Sequence, residues 1–275
     1  MTEPVHFLHL TDLHLSHPGL ADPHLLTDTA ATLDRVLDQI AGIVPPPAFM
    51  IVSGDLTNSG APESYRMLAE KMRRVAMPVV YALGNHDSRE HFHAVIGGRE
   101  TDLAAPLDYD RVVAGVHVIV LDTLIPGRVG GTLGEAQIAF LEGALGRQQG
   151  LAKIVVMHHP PALDPNAPLA WETLDWPATE RLCRILQGRR DVAAILCGHI
   201  HVARVAHWHG IPVLTGVGLH NSFDPLYSGG LRAIEGAGFS LCTLRPSGLT
   251  ATVVSLPSEA RELRILPWET VLSLR

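Results

Sequence analysis

The chain has 275 residues, 47% of them hydrophobic and 18% charged, with a net charge of −7. That length can bury a large α/β core, and the negative balance excludes the broad basic footprint of a protein that grips nucleic-acid polymers. Cys183, Cys197 and Cys242 are far apart with no CxxC pair, so neither a disulfide framework nor a thiolate zinc site is expected, and a reducing, cytoplasmic compartment is the default.

The N-terminal MTEPVHFLHLTD carries no basic n-region, so no signal peptide is expected. No stretch approaches the roughly 20 apolar residues that cross a membrane. His6 to Leu10 reads as a first strand, ending at Thr11-Asp12-Leu13-His14. A His- and Pro-rich loop follows. Thr27 or Asp28 then caps a helix whose Leu33, Val36, Leu37, Ile40 and Val44 share one face. Pro45 to Pro47 end it. The apolar run Phe49 to Val52 is a buried strand that stops at Ser53-Gly54 and delivers Asp55. Pro62 opens a second helix, with Tyr65, Leu68, Met72 and Val75 inside. Val79 to Leu83 is a third strand, ending at Gly84-Asn85-His86-Asp87. The order β-α-β-α-β predicts a sheet layered with helices.

Ser88 to Asp108 is polar and weakly periodic, as expected of an inserted loop or small helix. Gly115 to Leu121 is a strand ending at Asp122. Thr132 and Glu135 then form a capping box for a helix with Ile138, Leu141 and Leu145 inside. Lys153 to Met157 is a strand ending at His158-His159. After a Pro/Trp-rich loop comes a helix stopped by Gly188, and Val192 to Leu196 leads to Cys197-Gly198-His199-Ile200-His201. From Val202 onward, short alternating runs separated by Gly and Pro read as hairpin strands completing a second sheet. No linker-like boundary appears, so residues 1–275 are read as a single domain, with the motifs in 1–201 and the strands of the second sheet in 202–275.

The chemistry collects at the strand ends: Asp12 with His14, Asp55, Asn85 with His86, His158 or His159, and His199 with His201. In open α/β sheets, ligands bind outside the carboxyl ends of the strands. Oxygen and imidazole donors without thiolate suit Mn, Fe, Zn and similar ions, and they are too many for one tetrahedral ion. They fit two divalent ions sharing Asp55, about 3.5–4 Å apart, the usual device for in-line displacement at phosphorus. Two such cations exceed the charge of two aspartates and one hydroxide by a single positive unit, matching a singly charged phosphodiester.

DLH at Asp12–His14, GD at Gly54–Asp55, GNHD at Gly84–Asp87, HH at His158–His159 and GHIH at Gly198–His201 resemble, in order, the five signatures of the calcineurin-like metallophosphoesterases. The phrases VSGDLTNSGAPESYRML, YALGNHD, LDTLIPGRVGG, MHHPP and LCGHIH are most similar to the bacterial class III cyclic-nucleotide and glycerophosphodiester phosphodiesterases. The resemblance implies a four-layer αββα sandwich of two mixed β-sheets flanked by helices. It also implies a metal-dependent phosphoric diester hydrolase. Asp12, His14, Asp55 and His201 would hold one ion, and Asp55, Asn85, His158 and His199 the other. A hydroxide bridging the ions would attack phosphorus. His86 would donate to a phosphoryl oxygen or protonate the leaving alkoxide, and Asp87 would orient His86 or a ligand histidine.

Asn85, His86, His17, His159 and His220 are the expected substrate side. For His17 the plain alternative is a solvated loop histidine, and for His220-Asn221 an Asx turn. The expected substrate is a small phosphodiester, 3′,5′-cyclic AMP first. The alternatives are a 2′,3′-cyclic nucleotide, a glycerophosphodiester, a phosphomonoester or a phosphoprotein, while a non-enzymatic scaffold ranks low because all seven ligand types are present. The resemblance also implies a homodimer through the Pro/Trp-rich loop or the C-terminal strands. Purple acid phosphatases of the same layout carry a tyrosine ligand three residues after the GD aspartate. Asn58 stands there, so a tyrosinate-bound ferric site is not expected.

Overall fold

In the computed structural model, which describes residues 3–274, the first elements follow the expected alternation. β1 (Val5–Leu10) is followed by α1 (Thr29–Ala41), whose N-cap Asp28 accepts from the Ala31 amide at 2.9 Å. Next come β2 (Phe49–Ser53), α2 (Pro62–Met72, with Pro62 in its first turn) and β3 (Val79–Ala82). The stretch after it holds a one-turn helix α3 (Arg89–Phe92) that runs into a π-helical turn, His93–Gly97.

β4 (Tyr109–Val113) and β5 (Val116–Val120) form a hairpin around Ala114 and Gly115, whose φ values are 49° and 74°. Two successive positive φ values give the two-residue turn whose twist matches the strands. Periodicity alone misses β4, because Asp110 and Arg111 break its apolar run. α4 spans Glu135–Gly146. The Thr132/Glu135 capping box does not form: Gly134 is the N-cap, and its amide donates to Gln137 Oε1 at 3.0 Å. The Thr132 amide is already committed to the Thr123 carbonyl. β6 (Lys153–Val156), α5 (Trp176–Leu186) and β7 (Val192–Cys197) follow.

The remaining strands are β8 (Arg204–Trp208), β9 (Ile211–Thr215), β10 (Ser222–Phe223), β11 (Gly230–Ile234), β12 (Gly238–Arg245), β13 (Gly248–Ser255) and β14 (Glu262–Pro267). A terminal α6 (Trp268–Ser273) closes the described chain. These strands do not simply complete a second sheet. The first sheet has the order β13-β12-β1-β2-β3 and the second β4-β5-β6-β7-β9-β8, while β10-β11-β14 make a third, small sheet. β12 adds antiparallel to β1, pairing Phe7 with Cys242 and Leu8 with Leu241. Alternation marks a residue run as a strand but does not name its partner, so the split among three sheets was not readable.

Both large sheets are mixed, and their central strands are buried on both faces while edge strands such as β13 and β8 are largely exposed. In β2, Met50 and Val52 face α1 and α2, while Phe49 and Ile51 meet Val118, Val120, Ile154 and Val156 of the other sheet. Ile119, Val155 and Ile195 turn outward beneath α4 and α5. Three cores between four layers give the αββα sandwich, and they explain why strands such as FMIVS are apolar throughout rather than alternating.

One ion pair ties the entry ends of β6 and β7. Lys153, 1% exposed, sets Nζ 3.0 Å from Asp191 Oδ2, and Arg189 bonds the same carboxylate. Arg189 first, and Lys153 with it, hold the Asp191 carboxyl down at about 2. A depressed carboxyl stabilises the fold fully above its unfolded value and loses that contribution as pH falls through the folded one. Because Asp191 is 37% exposed, screening reduces the contribution to about 1 kcal/mol. Asp191→Asn should therefore lower stability by about 1 kcal/mol near neutral pH. The gap from the parent should close as the pH falls from about 4 towards 2, read by denaturant melts across that range. A gap that does not change with pH would assign the loss to something other than the ion pair.

Candidate metal centre

The carboxyl ends of β1, β2, β3, β6 and β7 meet at the seam of the two large sheets. The loops leaving them are laced together. Within the first sheet, the Asp12 amide donates to the Gly54 carbonyl (3.0 Å) and the His14 amide to the Asp55 carbonyl (2.9 Å). Across the seam, the His199 amide donates to both Asp12 carboxylate oxygens (3.0 and 3.1 Å). Asp12, His14, Asp55, His199 and His201 all have positive φ, between 44° and 75°. Left-handed backbone costs an L-residue on the order of 1 kcal/mol, and such strain concentrates at functional sites. The motif glycines keep the loops this close. A Cβ on Gly84 would stand 2.6 Å from the Asp55 amide nitrogen and 2.7 Å from His158 Cδ2, and one on Gly198 would stand 2.6 Å from Asp12 Oδ2.

Three imidazoles present the same nitrogen to this gap. From Nδ1, His14 donates to Asn58 Oδ1 (2.8 Å), His158 to the Ser53 carbonyl (2.9 Å) and His201 to the Asn221 carbonyl (3.1 Å). Carbonyl oxygens only accept, so each Nδ1 carries a hydrogen and each ring turns Nε2 inward, the nitrogen whose lone pair is free to ligate in the neutral form. The Nε2 atoms of His14 and His201 are 3.1 Å apart. His201 Nε2 is 3.4 Å from Asp12 Oδ1, and His14 Nε2 is 3.5 Å from Asp55 Oδ2. His158 Nε2, fully buried, lies 3.2 Å from Asp55 Oδ2 without the geometry of a hydrogen bond, so it has no partner. Acceptors crowded together repel one another unless a cation sits among them. Ligand atoms about 2.1 Å from a common ion stand about 3.0–3.4 Å apart in octahedral or tetrahedral arrangements, which is close to the spacing here.

Asp12, His14, Asp55 and His201 offer atoms all within 4.8 Å of one another. On the other side of Asp55 are His158 and His199. His199 donates from Nε2 to the Trp171 carbonyl (2.8 Å), leaving Nδ1 to face Asn85 Oδ1 at 3.0 Å, again acceptor against acceptor. All seven residues anticipated as ligands thus converge, and Asp55 touches both groups. The donor set suits two divalent cations such as Mn, Fe or Zn.

His86 is also at the gap. Its amide donates to Asp55 Oδ1 (2.9 Å), its Nδ1–H to the Asn58 carbonyl (2.8 Å), and its ring stands edge-on to His14 with centroids 4.7 Å apart. Asp87 does not orient an imidazole. Its carboxylate accepts from the amides of Leu56, Thr57 and Gly84 and from the Tyr65 hydroxyl, clasping the GD and GNHD loops together. His159 does not line a substrate surface. It is fully buried, accepts at Nδ1 from the Thr123 hydroxyl (2.7 Å) and donates from Nε2 to the Val129 carbonyl (2.9 Å). Its ring lies only 4.3 Å from that of His199, but neither nitrogen has a free lone pair. His17 is exposed on its loop and accepts from the Gly19 amide at Nδ1, outside the convergent set. His220 packs behind His14, centroids 5.0 Å apart, and accepts from the Leu26 amide at Nε2 (2.8 Å).

Electrostatics follow from this burial. Burial, then the charge of neighbouring His86, lowers the His14 pKa, and burial with neighbouring His158 lowers His199 to about 3. Both rings are therefore neutral and able to ligate. Burial would raise Asp55, but His158, His86 and His14 hold it well below the usual carboxylate range. Burial would likewise lower His158, yet Asp55 and Asp12 raise it to about 9. The metal-free pair thus carries a proton that an incoming cation displaces.

Sequence reading anticipated the residues that converge here but missed what holds them: the Ser53, Trp171 and Asn221 carbonyls that fix three tautomers, and the Asn58 side chain. Backbone carbonyls leave no signature in side-chain identity. A relative from Rhodococcus erythropolis, described as a probable cyclic nucleotide phosphodiesterase, is 34% identical over 76% of this chain and 69% of its own. A cAMP/cGMP dual specificity phosphodiesterase of Mycobacterium tuberculosis is 30% identical over 90% of this chain and 79% of its own. Among solved structures, the purple acid phosphatase of yellow lupin (Lupinus luteus) seeds superposes with a TM-score of 0.62 at 15% identity. It covers 89% of this chain, which spans half the length of that one, and the likeness is one of fold. The profile described as "Calcineurin-like phosphoesterase" matches residues 5–203, and on that match the chain belongs to the calcineurin-like phosphoesterase family.

Proposed function

We propose that this protein is a dinuclear metal-dependent phosphodiesterase of small phosphodiesters, with 3′,5′-cyclic AMP as its first candidate substrate. The observation that carries the reading is the cage itself: three imidazoles aimed by their Nδ1 hydrogens so that Nε2 faces two buried carboxylates. Asp12, His14, Asp55 and His201 would hold one cation, and Asp55, Asn85, His158 and His199 a second. When bound, such a pair supplies Lewis acidity and favours the ionisation of water near neutral pH. The activities described for the Rhodococcus and Mycobacterium relatives support a cyclic phosphodiester as the substrate class. A cytoplasmic location belongs to the same reading. It is supported by three free cysteines and by the fact that, among the described residues, no helix is long and apolar enough to cross a membrane.

The residues supply positioning and a proton. Asp55 is oriented by the His86 amide on Oδ1, which leaves Oδ2 facing His14 and His158. His86 is tethered through Nδ1, so the only proton it can give to a leaving alkoxide is one carried on Nε2. The Asp87 clasp keeps the His86 loop against the Asp55 loop.

The deciding assay incubates Mn2+-loaded protein with 3′,5′-cyclic AMP, a 2′,3′-cyclic nucleotide, a glycerophosphodiester and p-nitrophenyl mono- and diesters. Turnover of the cyclic 3′,5′-diester above the monoester is expected, and preference for the monoester would make this a phosphatase. Asp55→Asn should cut Mn2+-dependent turnover by at least about 100-fold, the upper end of what a mere second-shell partner costs. Titration with Mn2+ should raise the melting temperature of the parent and release protons, and should do neither in that variant. His86→Asn should slow alkoxide-leaving diesters by about 100- to 10,000-fold while sparing p-nitrophenyl diesters, whose leaving group needs no proton. Equal losses on both would remove His86 from the role of acid.

A further inference from the structure

Asn58 uses nearly every hydrogen-bonding group it has, and each contact bears on the site. Its side-chain Oδ1 accepts from His14 Nδ1 (2.8 Å), and its Nδ2 donates to Asp22 Oδ2 (2.8 Å). Its backbone carbonyl accepts from His86 Nδ1 (2.8 Å), and its amide donates to the Leu15 carbonyl (3.0 Å), locking the loop after β2 to the loop after β1. The residue is 6% exposed.

We infer that Asp22 and Asn58 form a two-step relay that sets the tautomer of His14, making Asn58 a positioning residue for one candidate metal ligand and for the candidate acid together. The reasoning is one of donors and acceptors. An ionised carboxylate can only accept. Facing Asp22, the Asn58 amide must turn its NH2 outward, and so must turn its carbonyl oxygen to His14. That oxygen in turn demands a hydrogen on His14 Nδ1. The lone pair is then forced onto Nε2, the nitrogen that faces His201 and Asp55. Without the carboxylate the amide could rotate by half a turn, and its NH2 would select the opposite tautomer, with a hydrogen pointing into the cage. The same residue fixes His86 through a main-chain atom, so the 4.7 Å edge-on placement of the two rings depends on one loop position. The inference rests on the reading of His14 as a metal ligand, but its first test does not.

That test is the 15N spectrum of the histidine rings in metal-free protein, with His14 assigned by its loss in His14→Gln. The parent should show His14 as the Nδ1–H tautomer. Asp22→Asn and Asn58→Leu should move it to a mixture or to Nε2–H, while Asn58→Asp, which keeps an acceptor at Oδ1, should retain Nδ1–H. The same spectra show whether each variant is folded, because the Nδ1–H signals of His158 and His201, held by carbonyls elsewhere, should not move. An unchanged His14 tautomer in both Asp22→Asn and Asn58→Leu would overturn the relay. The second readout is Mn2+ binding by calorimetry. Asn58→Leu and Asp22→Asn should weaken one of two sites by about 10- to 100-fold, as loss of an outer-shell partner does, and leave the other unchanged. A parent that binds no Mn2+ pair would sink the functional reading and leave the tautomer result standing; a parent that binds two ions with wild-type affinities retained in both variants would sink the relay alone.

Discussion

The arrangement depends on one unfavourable fact: lone pairs and carboxylates are buried facing one another. Asp12 and Asp55 are 0% and 1% exposed, and His14, His158 and His201 turn Nε2 towards them. Buried polar groups normally find partners, because leaving one unmade costs about 1–3 kcal/mol. Here the Nδ1 side of each ring is satisfied and the Nε2 side is not. The ring hydrogens are spent on aiming the imidazoles, while the carboxylates are oriented by main-chain amides, His199 on Asp12 and His86 on Asp55. Cations are the chemistry that completes such a cage.

Holding it open takes rigidity from elsewhere. The left-handed residues at the strand ends are kept in place by main-chain bonds between neighbouring loops and by the Asp87 carboxylate, which gathers three amides and the Tyr65 hydroxyl. Burial and the nearby charge of Asp55 raise Asp87 to about 6. Its several donors are what make a second buried carboxylate tolerable beside Asp55. Beneath the loops, strands apolar on both faces press into three cores, so the frame carrying the ligands has little room to shift.

Fold and activity are separable here. The sandwich is shared with a purple acid phosphatase at 15% identity, a likeness of layers and connections. What bears on chemistry is local: which side chains stand at five strand ends, and which groups face their far sides. Asn58 illustrates this. From sequence it registers as the absence of a tyrosine, whereas in the structure it joins Asp22, His14 and His86 in one network.

The residues that converge at the strand ends, the β-α-β-α-β opening and the αββα layering were legible in the chain itself. Apolar runs ending in Asp, Asn and His repeat often enough to define both the strands and what they deliver. The reading went wrong where the deciding contact is distant. Asp87 and His159 look like active-site residues because they adjoin candidate ligands, yet each is taken up by loops far away in the chain. Alternation identified most of the C-terminal strands but could not say that β12 would pair with β1 across more than two hundred residues. The tautomers, too, are tertiary facts. Whether an imidazole offers Nδ1 or Nε2 depends on the oxygen behind it, and for His158, His199 and His201 that oxygen is a backbone carbonyl, a group every residue has and therefore one that no residue name reveals.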